Sequence, residues 1–297
     1  MDSHRRALFQ IHVCVVLWGF TAILGKLITL PAIPLVWWRL LLVIVALACF
    51  PRVWRALRTI PPRLALIYAG IGCVVALHWL AFYGAVKLAN ASVAATCMAL
   101  APAVTALIEP WITGSRFERH NLLLGLLVIP GVALVVGGIP GDMHLGFWVG
   151  VASAALAAVF NALNKHHLGH HDAMAVTWIE LGAGFLLVAV ISPFMAPAGP
   201  SFVLPGLRDG ALLLVLAIVC TLIPFALALG TLRHLSAFTT QLAINLEPVY
   251  SIAIAVLFLG EARDLDGAFF AGVAIVLAAV FGHGWLQMRL TDGPRSV

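Results

Sequence analysis

Glu247 and Pro248 stand side by side near the midpoint of an apolar run, residues 236–259, with Gln241 and Asn245 four apart just before them. A carboxyl at that depth in an apolar helix reaches water at neither end, so it is protonated, paired, or turned to a wet cavity. Those states suit a group that carries a proton or holds the cationic part of a solute. Pro248 has no N–H to give, which leaves the carbonyl of Ile244 without its usual helical partner and marks a place for a bend. Gln241, Asn245 and Pro248 share one helix face, and Glu247 lies off that line.

Other polar and aromatic residues recur at helical spacing inside apolar runs. Trp18, Thr21 and Gly25 share a face, as do Met98, Pro102 and Thr105, while His78, Trp79, Phe82 and Tyr83 crowd one stretch. Further along, Asn161, Asn164 and Lys165 fall together, followed by Thr221, Pro224 and Phe225. The residues expected to touch a solute are Trp18, Thr21, His78, Tyr83, Met98, Asn161, Asn164, Gln241, Asn245 and Glu247, with Pro102 and Pro248 as hinges. The remaining deep charges read as structural. Lys26 and Arg39 lie near helix ends, from which long side chains snorkel to water. Glu109 sits close to Arg116 and Arg119 as an interfacial ion pair, and Glu180 lies within reach of Lys165 or His167.

The stretch His166, His167, His170 and His171 has metal-ligating chemistry, but one such cluster at a helix end lacks the further ligands that a catalytic centre needs. A membrane-embedded metal-dependent enzyme built on it, or a non-transporting membrane scaffold, is the alternative reading, and neither a metal nor a cofactor is expected. The five cysteines all lie inside apolar runs and read as buried thiols. No Walker-type phosphate loop is present.

These residues need a frame, and composition supplies its type. Of 297 residues, 63% are hydrophobic and 10% charged, with a mean hydropathy of +1.07; about 25% charged residues is usual for a soluble domain. Seventeen basic and twelve acidic side chains cannot clothe a water-soluble fold of this size. The basic residues lie in short gaps between apolar runs, so the pI near 9.2 implies no nucleic-acid partner. The partner is the lipid bilayer, whose core needs about 20 apolar residues per helix. Turn-rich or polar breaks divide the chain into ten spans: 7–28, 33–51, 64–86, 91–113, 121–138, 145–166, 173–195, 210–232, 236–259 and 267–288. With the N-terminus inside, twelve Lys and Arg fall on the cytoplasmic side and three, Lys87, Arg208 and Arg263, on the other. That bias predicts both termini in the cytoplasm of an inner-membrane protein.

A shift of 146 residues sets Gly84 over Gly230, Pro102 over Pro248 and Gly114 over Gly260. A shift of 141 sets Trp37 and Arg39 over Trp178 and Glu180. The chain therefore divides into residues 1–140 and 141–297, five spans each. An odd number of spans inserts the second copy upside down, a frequent build of secondary transporters.

With Leu17-Trp18-Gly19, and with Leu246-Glu247-Pro248-Val249-Tyr250 running on to Leu257-Phe258-Leu259-Gly260-Glu261, the chain resembles the EamA-type members of the drug/metabolite transporter superfamily over nearly its whole length. The resemblance implies an all-α polytopic membrane protein of ten transmembrane helices in two inverted five-helix repeats. It also implies a cavity lined by spans 1, 3, 4, 6, 8 and 9, and export of amino acids, other metabolites or toxic compounds. One departure stands out: the first-half counterpart of Glu247-Pro248 is Ala101-Pro102. The expectation is a secondary transporter that moves a small organic solute outward by alternating access, with Glu247 serving proton coupling or a cationic group.

Overall fold

The computed structural model describes residues 3–114, 119–167, 171–195, 204–224, 227–228, 243–244 and 246–291. The described residues form helices and turns only: α1 (Ser3–Leu27), α2 (Ala32–Ala48), α3 (Pro51–Leu57), α4 (Pro62–Leu88), α5 (Ala91–Met98), α6 (Ala101–Thr113), α7 (Arg119–Gly137), α8 (His144–His167), α9 (Ala173–Ile191), α10 (Leu207–Leu214), α11 (Glu247–Ile254) and α12 (Gly267–Thr291). The chain continues from α10 and α11 as wider π-helical turns, Val215–Leu222 and Ala255–Leu259.

Four helices are individually long and apolar enough to cross a bilayer: Arg5–Leu27, Pro62–Leu88, Gly141–Asn164 and Ala173–Phe194. Another four, Ala91–Thr105, Leu127–Gly137, Glu247–Leu259 and Gly267–Gly282, are apolar but shorter. Among the described residues, three of the expected spans are interrupted, each at an identifiable place. The second span ends at Ala48, and the chain turns by 89° into α3, where only a polar loop was expected. Phe50 is extended and Pro51 opens α3, which fits the bias of a residue before proline away from helical backbone. The fourth span breaks between Met98 and Ala101.

The ninth breaks at Leu246, so Glu247 and Pro248 open a helix rather than lying inside one, as a continuous 236–259 span had implied. A proline in the first turn has no hydrogen bond to lose. The two breaks match at the 146-residue shift in their hydrogen bonds. Leu100 N–H bonds Cys97 O and Leu246 N–H bonds Ala243 O; one turn on, Val104 N–H bonds Leu100 O and Tyr250 N–H bonds Leu246 O. Both segments then stop at a left-handed glycine, Gly114 (φ 70°) and Gly260 (φ 68°), a backbone region that side chains with a Cβ avoid.

Packing joins the chain's first half to its second. α4 lies against α8 and α9, α6 against α8, α1 against α11, α2 against α9, and α7 against α12. Gly131 of α7 and Gly272 of α12, which are 141 residues apart, meet face to face: a Cβ on either would fall 3.0 or 2.5 Å from the other's carbonyl oxygen. Ser251 Oγ donates to Gly19 O at 3.0 Å, fixing α11 on α1. At one end of the bundle Glu261, 3% exposed, turns back after Gly260, and its two carboxyl oxygens accept the N–H groups of Ala91 and Ser92 at 3.0 and 2.8 Å. These are otherwise orphan donors at the start of α5, so the Gly-Glu pair closing the longer motif acts as a cap on the other half. At the opposite end of α9, Arg52 of α3 pairs with Asp172 at 2.7 Å, and Asp172 also caps α9 through Met174 and Ala175 N–H.

α4 and α9 touch backbone to backbone at Gly72, where a Cβ would collide with the carbonyl of Glu180. Gly72→Ala is expected to destabilise the protein by about 1–3 kcal/mol, the usual cost of overpacking, and Gly70→Ala, which faces open space two residues away, to cost nothing. Thermal unfolding of the two variants in detergent checks this pair.

Candidate functional site

The polar centre of the bundle is Arg39, 5% exposed. It does not snorkel to a surface, as its place near the start of the second span had suggested. Because α2 stops at Ala48, Arg39 lies near the middle of a 17-residue helix rather than toward one end. Its Nη1 donates to Tyr83 Oη of α4 at 2.7 Å, and Nε and Nη2 donate to Thr221 Oγ1 at 3.1 and 2.9 Å. The guanidinium carbon lies 3.7 Å from the centroid of the Trp79 ring, a cation–π stack on the same α4.

Thr221 owes its orientation to the π-helical turn. Its hydroxyl donates to Leu216 O, five residues back, at 2.8 Å, which turns the oxygen lone pairs toward Arg39. Tyr83 is fully buried and Thr221 is 1% exposed. The Glu247 carboxyl lies within electrostatic reach of Arg39 and Tyr83. One buried cation and one half-buried carboxyl thus lie within electrostatic reach of each other, with Arg39, Trp79 and Tyr83 from the first half of the chain and Thr221 and Glu247 from the second. A guanidinium has five N–H donors. Three are spent on Thr221 and Tyr83, and among the described residues the second N–H of Nη1 and of Nη2 meets no further acceptor.

The other sequence-selected residues fall into separate groups. His78 Nδ1 lies 2.9 Å from both Oγ and O of Ser153 in α8, and Ser153 Oγ also reaches Met98 Sδ at 3.9 Å, so His78 and Met98 meet through that serine. Trp18 and Thr21 lie on α1, where the Thr21 hydroxyl donates to Trp18 O at 2.7 Å within its own helix. Asn164 hydrogen-bonds Glu180, and Asn161, one turn before it, is exposed. Pro102 and Pro248 open α6 and α11. Gln241 and Asn245 lie outside the described residues, as does His170, and so do the side chains of Lys165, Arg116 and Arg119. Of the histidine cluster, His166 is exposed and the His167 carbonyl accepts the Tyr68 hydroxyl at 2.9 Å. Among the described residues no group of three or more His, Cys, Asp and Glu could hold a metal.

Sequence reasoning set Arg39 aside as a charge near a helix end, and grouped Thr221 and Trp79 with the recurring polar and aromatic residues without selecting them as solute contacts. The available signal was the 141-residue match of Trp37 and Arg39 with Trp178 and Glu180, because both members of that match are buried ionisable residues.

The model of the EamA-like transporter family matches residues 5–137 and again 144–285. No curated protein matches the sequence. A solved structure described only as a crystal structure of protein, 18% identical, covers 97% of this chain and 99% of its own with a TM-score of 0.64, a likeness of fold. The chain belongs to the EamA-like transporter family and is a multi-pass, all-helical membrane protein with two EamA repeats.

Thr221→Val removes the acceptor of two Arg39 N–H groups while keeping shape. The expected loss is about 1.5–3 kcal/mol of stability, the scale of a hydrogen bond to a charged group, and Thr221→Ser is expected to recover most of it. Chemical unfolding of both variants tests whether the hydroxyl acts through its bonds to Arg39.

Proposed function

We propose that the protein is a secondary transporter of the inner membrane that exports a small organic solute, an amino acid or other metabolite, by alternating access around the Arg39 centre. The observation that carries this reading is a buried guanidinium, with two N–H groups that meet no acceptor among the described residues and with Glu247 within electrostatic reach, built from both halves of a chain of this family. An anionic group of the solute is received by this N–H pair of Arg39, in the planar geometry that suits a carboxylate. Glu247 receives the cationic group. Trp18, Thr21, His78, Tyr83, Met98, Asn161, Asn164, Gln241 and Asn245 are the further solute-contacting candidates.

Alternating access is assigned to ten membrane segments in two inverted repeats, residues 1–140 and 141–297. The matched breaks at Leu100 and Leu246 support the repeat, since they place Pro102 and Pro248 where two half-helices can change angle. The Gly131–Gly272 contact supports a two-fold relation, because equivalent positions touch each other directly only beside such an axis. Rocking of one repeat on the other exposes Arg39 and Glu247 to one side at a time.

Flux in proteoliposomes, for solutes selected by ligand-dependent stabilisation across amino acids, sugars and other metabolites, tests this reading. Glu247→Gln at matched expression and melting temperature is expected to lower flux at least tenfold, about 1.4 kcal/mol in a barrier. Wild-type flux in that variant contradicts the role of Glu247. Orientation has its own check, with native cysteines replaced: a cysteine at Asp142 is expected to react with an impermeant thiol reagent in intact cells and one at Arg55 is not. The reverse labelling contradicts a cytoplasmic α3.

A further inference from the structure

Glu180 is the second deep carboxyl, and its surroundings differ from those of Glu247. It is 4% exposed in α9, its backbone pressed against Gly72 of α4. Carboxyl oxygen Oε1 is buried with no hydrogen-bond partner, and Asn164 of α8 lies within side-chain hydrogen-bonding reach of the carboxyl. Among the described residues no cation lies at ion-pair distance from it.

Among the described residues, the charged and titratable groups on the elements around it are engaged elsewhere or exposed, and the side chain of Lys165 on α8 lies outside the described residues. Arg39 on α2 is held by Tyr83 and Thr221. Arg52 on α3 is paired with Asp172, and Arg55 is exposed. Tyr68 on α4, within electrostatic reach of Glu180, gives its hydroxyl to His167 O. On α8 His166 is exposed, and the ring of His171, just before α9, stacks edge-on against Tyr68 at 6.4 Å. A carboxylate left bare in such a place costs several kcal/mol, on the order of the penalty for one buried ion.

We propose that Glu180 and Asn164 form a proton-binding site, separate from the Arg39–Glu247 centre, and that the proton coupled to transport resides there. A proton on the carboxyl is donated to Asn164 Oδ1; without it, the carboxylate accepts from Asn164 Nδ2–H, and the amide serves both states by turning end for end. The proton is taken from the aqueous phase at the α3 end of the bundle and returned to water, and nothing else is consumed. Glu247 lies within electrostatic reach of the Arg39 cation, whereas Glu180 has no cation at ion-pair distance among the described residues. The assignment to coupling rests on the transport reading, while the binding site itself does not.

Infrared difference spectra of the purified protein in liposomes, acid minus alkaline, in H2O and D2O, use the proton itself as the probe. The wild type is expected to show the carbonyl stretch of a protonated carboxyl that titrates and shifts in D2O. That band is expected to vanish in Glu180→Gln, to persist in Glu247→Gln, and to move in frequency in Asn164→Ala. A band unchanged in Glu180→Gln, or no wild-type band that the substitution removes at any pH, overturns the site. If Glu180→Gln does not fold, Asn164→Ala carries the test, and an unmoved band overturns it. Because no solute enters this measurement, failure of the transport reading leaves it intact. Where flux is present, its pH dependence is expected to disappear in Glu180→Gln and survive in Glu247→Gln; the opposite result overturns the assignment to coupling.

Discussion

A guanidinium cannot shed its charge, so a chain that buries Arg39 must arrange its neighbours around that fact. Inside an apolar bundle each unsatisfied N–H and the charge itself count against folding. The protein offsets this with the Trp79 ring face, the hydroxyls of Tyr83 and Thr221, and the nearby carboxyl of Glu247. Each of these sets a demand on its own helix. Tyr83 and Trp79 lie one turn apart on α4, and Thr221 is aimed by a π-helical turn that a regular helix lacks. The break at Leu246 brings Glu247 into the first turn of a helix. Two irregularities of this fold, the π-helical turn at Thr221 and the break at Leu246, thus serve one cation.

The same centre explains why the halves are held together at several heights. Glu261 caps the start of α5, Ser251 binds Gly19, and Arg52 meets Asp172. Each contact joins an element of the first repeat to one of the second, and each uses a single side chain against backbone or one opposite charge. The repeats are alike in backbone at α6 and α11 and unlike in chemistry, with Ala101-Pro102 in one and Glu247-Pro248 in the other. Bending is duplicated, and the carboxyl is not.

Much of the frame was legible because membrane helices declare themselves by apolar length, and prolines and glycines mark their ends. Gly114 and Gly260 at helix ends, Asp172 before α9 and Pro62 at the start of α4 were all readable as punctuation. Hidden were features that depend on where a helix stops inside an apolar run. The 89° turn before α3 has no polar residue between Ala48 and Pro51 to announce it, and that turn moves Arg39 from a helix end to its middle. The π-helical stretch Val215–Leu222 is as apolar as any regular span, so the aim of Thr221 was invisible. Among candidate residues, depth alone singled out Glu247, and the structure sets it beside Arg39. Depth could not say that His78 and Met98 would share Ser153, or that Asn164 would meet Glu180, since those pairings are made across helices.

The central claim is that Arg39 and Glu247 balance each other across the two halves, and a double-mutant cycle on unfolding free energy tests it most directly. Arg39→Gln alone leaves a carboxyl without its counter-charge, Glu247→Gln alone leaves a cation without its own, and the double variant removes both. The account predicts that the double variant loses less stability than the two single losses added, by about 1–3 kcal/mol. Losses that add to within about 0.5 kcal/mol contradict it, because side chains that do not interact behave additively.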